Sequence, residues 1–462
     1  MQRYDKLAVN TLDDFIFGAA PHPVVLPNGL RIGGGTVYPE LNFTLPAIDI
    51  SAQTMPEIRA EYASMIEGAC ARAVELNAPG LIVEFELLPP MTLTPEWGAE
   101  LTAILRQTLD KYARTHGLKS GLRVTPNDIR DHERPPRMRG HLWDKMVRSF
   151  ELCSQAGATF LAIESTGGKE VHDDALLNGD LQSVAFALGV LASRDMVLLW
   201  DKIVAVCGKH GVIPSGDTAC GFGNTAMVLA EKRYLPRVFA AVVRVMTVAR
   251  SLVAYERGAQ GPNKDCAYEG PYIKAITGCP IAMEGAIAAC AHLTPVGNIS
   301  QAVADLWSNE SVQNVKLLGG MAPTVCMEQL VYAVRLMNVA SGHGRNAALS
   351  LRDWLVESDA KSDPQAYILR PDVVLQLARQ LVAEPTPYRR TRCAARATLE
   401  VLRKAAAAGL VVVPELEKSW LERLSRQADA LPEDEEELTA QVTPDLDPAK
   451  VLLEEYGVKR AD

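Results

Sequence analysis

The chain has 462 residues, of which 48% are hydrophobic, and it carries a formal net charge of -9. This length suits one large barrel with appended helices or two ordinary domains, and the apolar share permits a sizeable core. Its few basic clusters are isolated in an acidic chain, so nucleic-acid binding is not expected.

The N-terminus and the cysteines predict a cellular compartment. Acidic residues precede any apolar run at the N-terminus, unlike a secretory signal. The long apolar stretch Val238–Ala249 contains Arg244 and is shorter than the roughly 20 residues of a membrane span. Nine scattered cysteines without framework spacing are typical of a reducing compartment. We therefore expect a cytoplasmic protein that does not bind a membrane.

The first part of the chain, residues 1–60, is predicted to be an irregular arm that covers the rest of the fold. It contains the run Gly33-Gly34-Gly35, which could cradle a phosphate. No Gly-Lys-Ser or Gly-Lys-Thr follows this run, so a tight turn is the preferred interpretation.

Residues 61–370 alternate short apolar runs with longer helical patterns, which is typical of parallel βαβ units. The predicted strands are Leu81–Glu86, Gly121–Val124, Thr159–Glu164 and Val212–Asp217. The predicted helices are Trp97–His116, Leu142–Ala156, Asp201–Lys209 and Thr225–Lys232. Over about 300 residues, an α/β fold of the (β/α)8 TIM-barrel type is the simplest arrangement. A doubly wound sheet is the alternative, but no Gly-x-Gly-x-x-Gly opens a helix at the required place.

The remaining residues, 371–462, are predicted to form a C-terminal helical extension. Helical patterns cover Val373–Ala383, Arg392–Ala408 and Pro414–Ala430. The acidic run Glu433–Glu437 is interpreted as a solvated helix start. The chain is thus predicted to consist of an arm (1–60), a catalytic barrel (61–370) and an extension (371–462).

Three residues that could bind a metal each follow a short apolar run and a turn-forming cluster: Glu164, Cys220 and Cys266. Catalytic residues take this position where a barrel strand runs into its loop. Two thiolates and one carboxylate make three ligands for zinc and leave one tetrahedral position open, as in a catalytic site. Spacing alone also allows both cysteines to be small buried hydrophobes, since no CxxC or HExxH accompanies them.

The segments around these residues belong to a longer ordered set of motifs. The set comprises Pro95–Glu100, Glu164–Val171, Ser215–Cys220, Ser251–Glu269, Lys274–Gly278, Trp307–Val312 and Asp363–Tyr367. Together these motifs resemble the zinc subunit of methanol:corrinoid methyltransferases. The likeness covers most of the chain in order and with few gaps, which is more specific than one short motif.

The resemblance implies that Glu164, Cys220 and Cys266 bind one Zn²⁺. It also implies that the chain transfers a methyl group from methanol to the Co(I) of a corrinoid held by a separate protein, and that it forms a homodimer. The sequence departs from the family at Gly221–Asn224 and at Arg123–Pro126, which could change the substrate pocket. Two alternatives therefore stay open: another donor, such as a methoxylated aromatic or a small methyl ether, and a non-catalytic subunit that docks a corrinoid protein.

A departing hydroxide needs a proton, so acids near the three ligands are candidate proton donors. The candidates at predicted strand ends or beside a ligand are Glu84, Glu86, Asp217 and Asp265. Each is more readily interpreted as a loop cap or as a partner that orients a ligand. Among them, Asp217 is retained as a candidate catalytic residue.

Overall fold

Seven parallel strands form one curved sheet in the computed structural model, which describes residues 3–43, 48–264, 266–291, 294–310 and 322–460. The order across this sheet is β7-β6-β5-β4-β3-β9-β8, and β1 and β2 form a separate antiparallel hairpin. The strands are β1 (Ala19–Val25), β2 (Arg31–Gly34), β3 (Tyr38–Phe43), β4 (Leu81–Glu86), β5 (Ser120–Thr125), β6 (Phe160–Ile163), β7 (Ile213–Asp217), β8 (Ala282–Glu284) and β9 (Leu306–Glu310).

The segment 260–264 closes this sheet into a barrel. On one side, Gln260 N–H donates to the carbonyl of Pro214 in β7 at 2.8 Å. On the other side, Ala282 N–H of β8 donates to the carbonyl of Asn263 at 3.0 Å. The segment therefore occupies the eighth position between β7 and β8, and the predicted TIM-type barrel is confirmed.

Helices surround the barrel and continue beyond it. Those that connect or follow the strands are α1 (Met55–Glu75), α2 (Pro89–Leu93), α3 (Pro95–His116), α4 (His141–Gln155), α5 (Lys169–Asn178), α6 (Leu181–Phe186), α7 (Ser193–His210), α8 (Thr225–Glu231), α9 (Arg237–Glu256), α10 (Gly270–Thr277), α11 (Ala286–Ala291) and α12 (Ala322–Gly342). Those that follow are α13 (Arg345–Ala360), α14 (Pro364–Tyr367), α15 (Pro371–Ala383), α16 (Pro387–Ala407), α17 (Glu415–Ala430) and α18 (Glu435–Val442).

The predicted elements agree with these bounds except at the starts of two helices: α16, which begins at Pro387 rather than at Arg392, and α7. The four predicted strands coincide with β4, β5, β6 and β7 to within one residue at each end. Helix α7, however, begins at Ser193 rather than at Asp201. A fully buried π-helical turn, Ala187–Ala192, leads into it, so the start of α7 lacks the one-sided apolar pattern that marks a helix in a sequence.

The N-terminal region contributes more regular structure than the predicted arm. Strand β3 lies in the sheet between β4 and β9, and α1 begins at Met55. The hairpin β1–β2 closes the end of the barrel at which the parallel strands begin. There, Val24 and Ile32 pack on Ile82, Phe160 and Leu306. The division into 1–60, 61–370 and 371–462 stays a prediction, and its first boundary falls inside α1.

Helix α9 connects the barrel to the C-terminal helices. Within α9, every residue after Arg237 is buried, and helix α16 packs along α9. Two stretches, Leu181–His210 and α9 itself, have the length and hydropathy of a membrane span, but 78% and 100% of their apolar windows are buried inside the fold. Burial in the core accounts for their apolar composition.

Candidate metal centre

The three predicted ligands lie together at one end of the barrel. Glu164 directly follows β6, Cys220 follows β7 after two residues, and Cys266 follows the closing segment 260–264. These three elements are neighbours, and the carboxyl ends of parallel strands meet at the same end of a barrel. The ligand atoms of Glu164, Cys220 and Cys266 all lie within 4.8 Å of one another. Cys266 Sγ is 3.9 Å from Glu164 Oε1.

A π-helical turn, Cys220–Asn224, shapes the loop after β7. The turn brings Asn224 back over the first residue, so that its Nδ2 donates to Cys220 Sγ at 3.2 Å. Turns of this type occur mostly as single insertions in helices, frequently at functional sites. The glycines and Asn224 that depart from the family pattern therefore form the turn that presents Cys220.

Both thiols are neutral in the metal-free protein. A hydrogen bond with Cys266 lowers the pKa of Cys220, but burial and the Glu164 carboxylate outweigh it and raise this pKa to about 12. Burial, the Cys220 thiol and Glu164 raise the pKa of Cys266 well above its ordinary range. Metal binding to such a site requires that the thiols release their protons. Two converging sulfurs and one carboxylate are a donor set that fits Zn²⁺.

Lys264 places a buried positive charge beside this donor set. Its Nζ is 2.5 Å from Glu164 Oε1, 3.2 Å from Glu86 Oε2 and 3.7 Å from Glu84 Oε1. Burial lowers the pKa of Lys264, but the three carboxylates outweigh burial and raise it well above the ordinary value. Sequence reasoning missed this residue, because a lysine in a loop with Gly, Pro and Asn is usually exposed.

The acids that could donate a proton, Glu84 and Glu86, differ in burial and in hydrogen-bond partners. Burial raises the pKa of Glu84 to about 8, against the attraction of Lys264 and Arg123, and Thr125 Oγ1 donates to its Oε1 at 2.7 Å. Glu86 is 21% exposed and accepts from Asn42 Nδ2 at 3.2 Å. Glu84 therefore keeps its proton to a higher pH than a free carboxyl group does, and it adjoins the ammonium that contacts Glu164. Asp265 lies outside the described residues.

Asp217 contacts the loop that carries Glu164. Its carboxylate accepts from Ser165 N–H at 3.4 Å and lies 3.2 Å from Arg250 Nη2. Burial raises its pKa to about 6, although Arg250 and Ser165 lower it. These contacts favour a role in orienting Glu164, and the assignment of Asp217 as a catalytic acid stays a prediction.

Arg123 lies inside the barrel and contacts the closing segment 260–264. It is fully buried, and its guanidinium donates to both oxygens of Glu40, at 2.8 and 3.1 Å. It also donates to the carbonyl of Pro262 at 2.6 Å. Arg123 thereby supports the segment that leads to Cys266, so this departure from the family affects the support of the site.

The chain is similar to known proteins over nearly its whole length. A family model described as the methanol-cobalamin methyltransferase B subunit, MtaB, matches residues 1–457. A methanol–corrinoid protein co-methyltransferase of Methanosarcina barkeri (strain Fusaro / DSM 804) is 36% identical over 437 residues, 94% of this chain and 94% of that protein. The crystal structure of the methanol:cobalamin methyltransferase complex MtaBC from Methanosarcina barkeri matches with a TM-score of 0.94 at 33% identity, over 99% of this chain and 100% of that chain. The predicted resemblance is confirmed, and the chain belongs to the methanol-cobalamin methyltransferase B subunit family.

Proposed function

We propose that this chain is a zinc-dependent methyltransferase that moves a methyl group from methanol to the Co(I) of a corrinoid carried by a separate protein. The observation that carries the proposal is the convergence of Glu164, Cys220 and Cys266 within 4.8 Å, in a member of this family. These three residues would hold one Zn²⁺ and leave one position for the donor oxygen.

Methanol is a poor methyl donor, because its leaving group is hydroxide. Zn²⁺ at these ligands supplies a Lewis acid that stabilises negative charge on the donor oxygen. Cys266 and Lys264 are almost fully buried, whereas Glu164 and Cys220 are partly exposed, so the ligand set is open to solvent on the side of these two residues. Lys264 balances part of the charge of the thiolates and the carboxylate, and it also contacts Glu84.

The nucleophile comes from outside the chain, because no side chain here could take a methyl group from an alcohol and release it again. A Co(I) corrinoid on a partner protein suits this role, and the related crystal structure is that of a methanol:cobalamin methyltransferase complex, MtaBC. From the family resemblance and the cysteine pattern we also infer a homodimer in the cytoplasm.

The test is a screen of methyl donors with the cognate corrinoid protein reduced to Co(I). The reaction is monitored through the visible spectrum of the corrinoid. Methanol should convert the Co(I) spectrum to that of methyl-Co(III). Glu164→Gln should still bind the corrinoid protein in a pull-down, because docking depends on the surface. Its methyl transfer should fall by orders of magnitude, because the loss of a charged ligand weakens both zinc binding and stabilisation of the leaving oxygen.

Two other outcomes would redirect the proposal. Transfer from an aryl methyl ether but not from methanol would change the donor and keep the zinc chemistry. Wild-type protein that contains no zinc, binds the corrinoid protein and transfers no methyl group from any small methoxy donor would make the chain a docking subunit.

A further inference from the structure

Glu269 is a buried carboxylate that connects the loops of the two cysteines. It lies three residues after Cys266, immediately before α10, and its exposed fraction is 0%. Its Oε1 accepts a hydrogen bond from the backbone N–H of Ala219 at 2.7 Å. Ala219 immediately precedes Cys220. The Glu269 side chain therefore links the backbone just before Cys220 to the backbone that follows Cys266.

A second hydrogen bond ties Glu269 to a rigid element. Ser251 Oγ donates to the same oxygen, Oε1, at 2.8 Å. Ser251 belongs to α9, which is buried between the barrel and the C-terminal helices. The connection between the two loops is thus anchored in the core.

The metal centre needs such a connection because its two sulfurs come from dissimilar loops. Cys220 begins the π-helical turn after β7, whereas Cys266 lies in the short loop that leads to α10. Two sulfurs on one tetrahedral Zn²⁺ must lie about 3.8 Å apart, since each Zn–S bond is about 2.3 Å long. Residues that orient ligands from behind typically change metal affinity when they are replaced.

We propose that Glu269 is a positioning residue for the metal centre, which sets the separation of the Cys220 and Cys266 sulfurs by holding Ala219 N–H. This inference rests on the proposed function, in that Glu164, Cys220 and Cys266 are taken as the zinc ligands. Glu269 acts through the backbone of the two loops and does not touch the reacting atoms.

The test compares Glu269→Leu, Glu269→Gln and Glu269→Asp with the wild-type protein. Zinc affinity is measured by competition with a chromophoric chelator, and ligand geometry by the visible spectrum of the Co²⁺-substituted protein. Glu269→Leu should weaken zinc binding about 10–100-fold and alter the Co²⁺ spectrum. Glu269→Gln should retain both, because its amide oxygen can accept the same hydrogen bonds. Glu269→Asp should be intermediate, because its shorter side chain draws the acceptor away from Ala219.

Glu256→Leu is the matched control. Glu256 is a second buried glutamate, at the end of α9. It accepts a hydrogen bond from Arg390 Nη1 at 2.8 Å and does not belong to the ligand loops. Its replacement should lower the unfolding midpoint and leave zinc affinity and the Co²⁺ spectrum unchanged.

Several results would overturn the inference. Wild-type zinc affinity in Glu269→Leu would leave Glu269 with a structural role only, and an equal loss in Glu269→Gln would mean that charge matters rather than the accepted hydrogen bond. If Glu269→Leu does not fold, wild-type affinity in Glu269→Asp would overturn it as well. A wild-type protein that binds no zinc would instead overturn the proposed function, which keeps the two failures distinct.

Discussion

The candidate metal centre combines three acidic side chains with one buried ammonium group. Without a metal, the Cys220 thiol has a pKa of about 12 and the Lys264 ammonium carries the positive charge nearest to Glu164. A divalent cation bound at the same place would coordinate the two thiolates and the carboxylate. Thiols and lysine are therefore expected to respond differently when they are replaced.

The first prediction concerns the thiols. Cys220→Ala and Cys266→Ala should each lose most bound zinc and nearly all methyl transfer while the fold persists, because the barrel core does not depend on the metal. Elemental analysis, X-ray absorption and the methyl-transfer assay measure this, with Zn–S distances near about 2.3 Å expected in the wild type. Cys153→Ala in α4 and Cys393→Ala in α16 are the controls and should keep zinc and activity. Equal damage from the control pair would refute the ligand assignment.

The second prediction concerns Lys264. In metal-free protein, Lys264→Met should lower the unfolding free energy by about 3–5 kcal/mol, because it leaves the mostly buried carboxylates of Glu164 and Glu86 without their partner. Added Zn²⁺ should reduce this loss, since it restores a positive charge beside Glu164. Denaturant unfolding with and without zinc measures both effects.

Lys274→Met is the matched control for this experiment. Lys274 is equally buried and lies 3.1 Å from Asp305, in contact with the N-terminal segment through the carbonyl of Ile16. It should destabilise the protein to the same extent with and without zinc. A loss at Lys264 that zinc does not change would show that its charge is not linked to the metal centre.

At the scale of elements, the loop between β6 and α5 is held by buried groups from distant parts of the chain. Asp128 accepts from Thr166 N–H at 2.9 Å, and Gly168 N–H donates to the hydroxyl of Tyr456 at 3.1 Å. Arg194 Nη1 in turn donates to the carbonyl of Tyr456 at 3.0 Å. The end of the chain therefore supports the loop that carries Glu164.

The third prediction tests this support. Tyr456→Phe removes the acceptor of Gly168 N–H and should cost about 1 kcal/mol of stability. It should also speed the release of zinc to a chelator, because the loop of Glu164 loses a fixed point. Tyr388→Phe is the control: its hydroxyl donates to the carbonyl of Pro432 at 2.6 Å, so it should lose similar stability. Equal zinc release from both variants would contradict the proposed link.

At the scale of the whole molecule, the barrel interior changes from apolar to charged along its axis. Ile82 and Phe160 pack against the hairpin at one end, and Arg123 and Glu40 pair in the next layer. Glu84 and the candidate metal ligands lie towards the other end. Buried acids in this gradient make stability depend on pH.

The fourth prediction states the sign of that dependence. Burial raises the pKa of Glu84 from 4.5 to about 8 and that of Asp217 from 3.8 to about 6, so the folded state binds more protons than the unfolded state in between. Their contribution to stability is present below the ordinary pKa values and is lost as the pH rises towards about 8. Glu84→Gln should lose less stability between pH 5 and 8 than the wild type, in urea unfolding of chelator-treated protein. An unchanged slope would contradict the pKa assigned to Glu84.

Sequence reasoning could find the candidate ligands but not the residues that support them. Glu164 lies at the end of one recognisable strand and Cys220 shortly after another, and the motifs around them resemble one family. Lys264 and Glu269 instead look like ordinary charged loop residues. Their burial arises only when the closing segment meets β4 and β6, and when the loop of Cys266 meets that of Cys220.

The sequence by itself determined the alternation of strands and helices, the barrel class and the C-terminal helices, because strand and helix periods are local properties of the chain. The tertiary structure alone decided that β3 and the segment 260–264 belong to the barrel. Both contain proline and inward polar groups, which are poor strand signals. They are stable there because Arg123 pairs with Glu40 of β3 and donates to Pro262 of the closing segment, contacts between residues far apart in the chain.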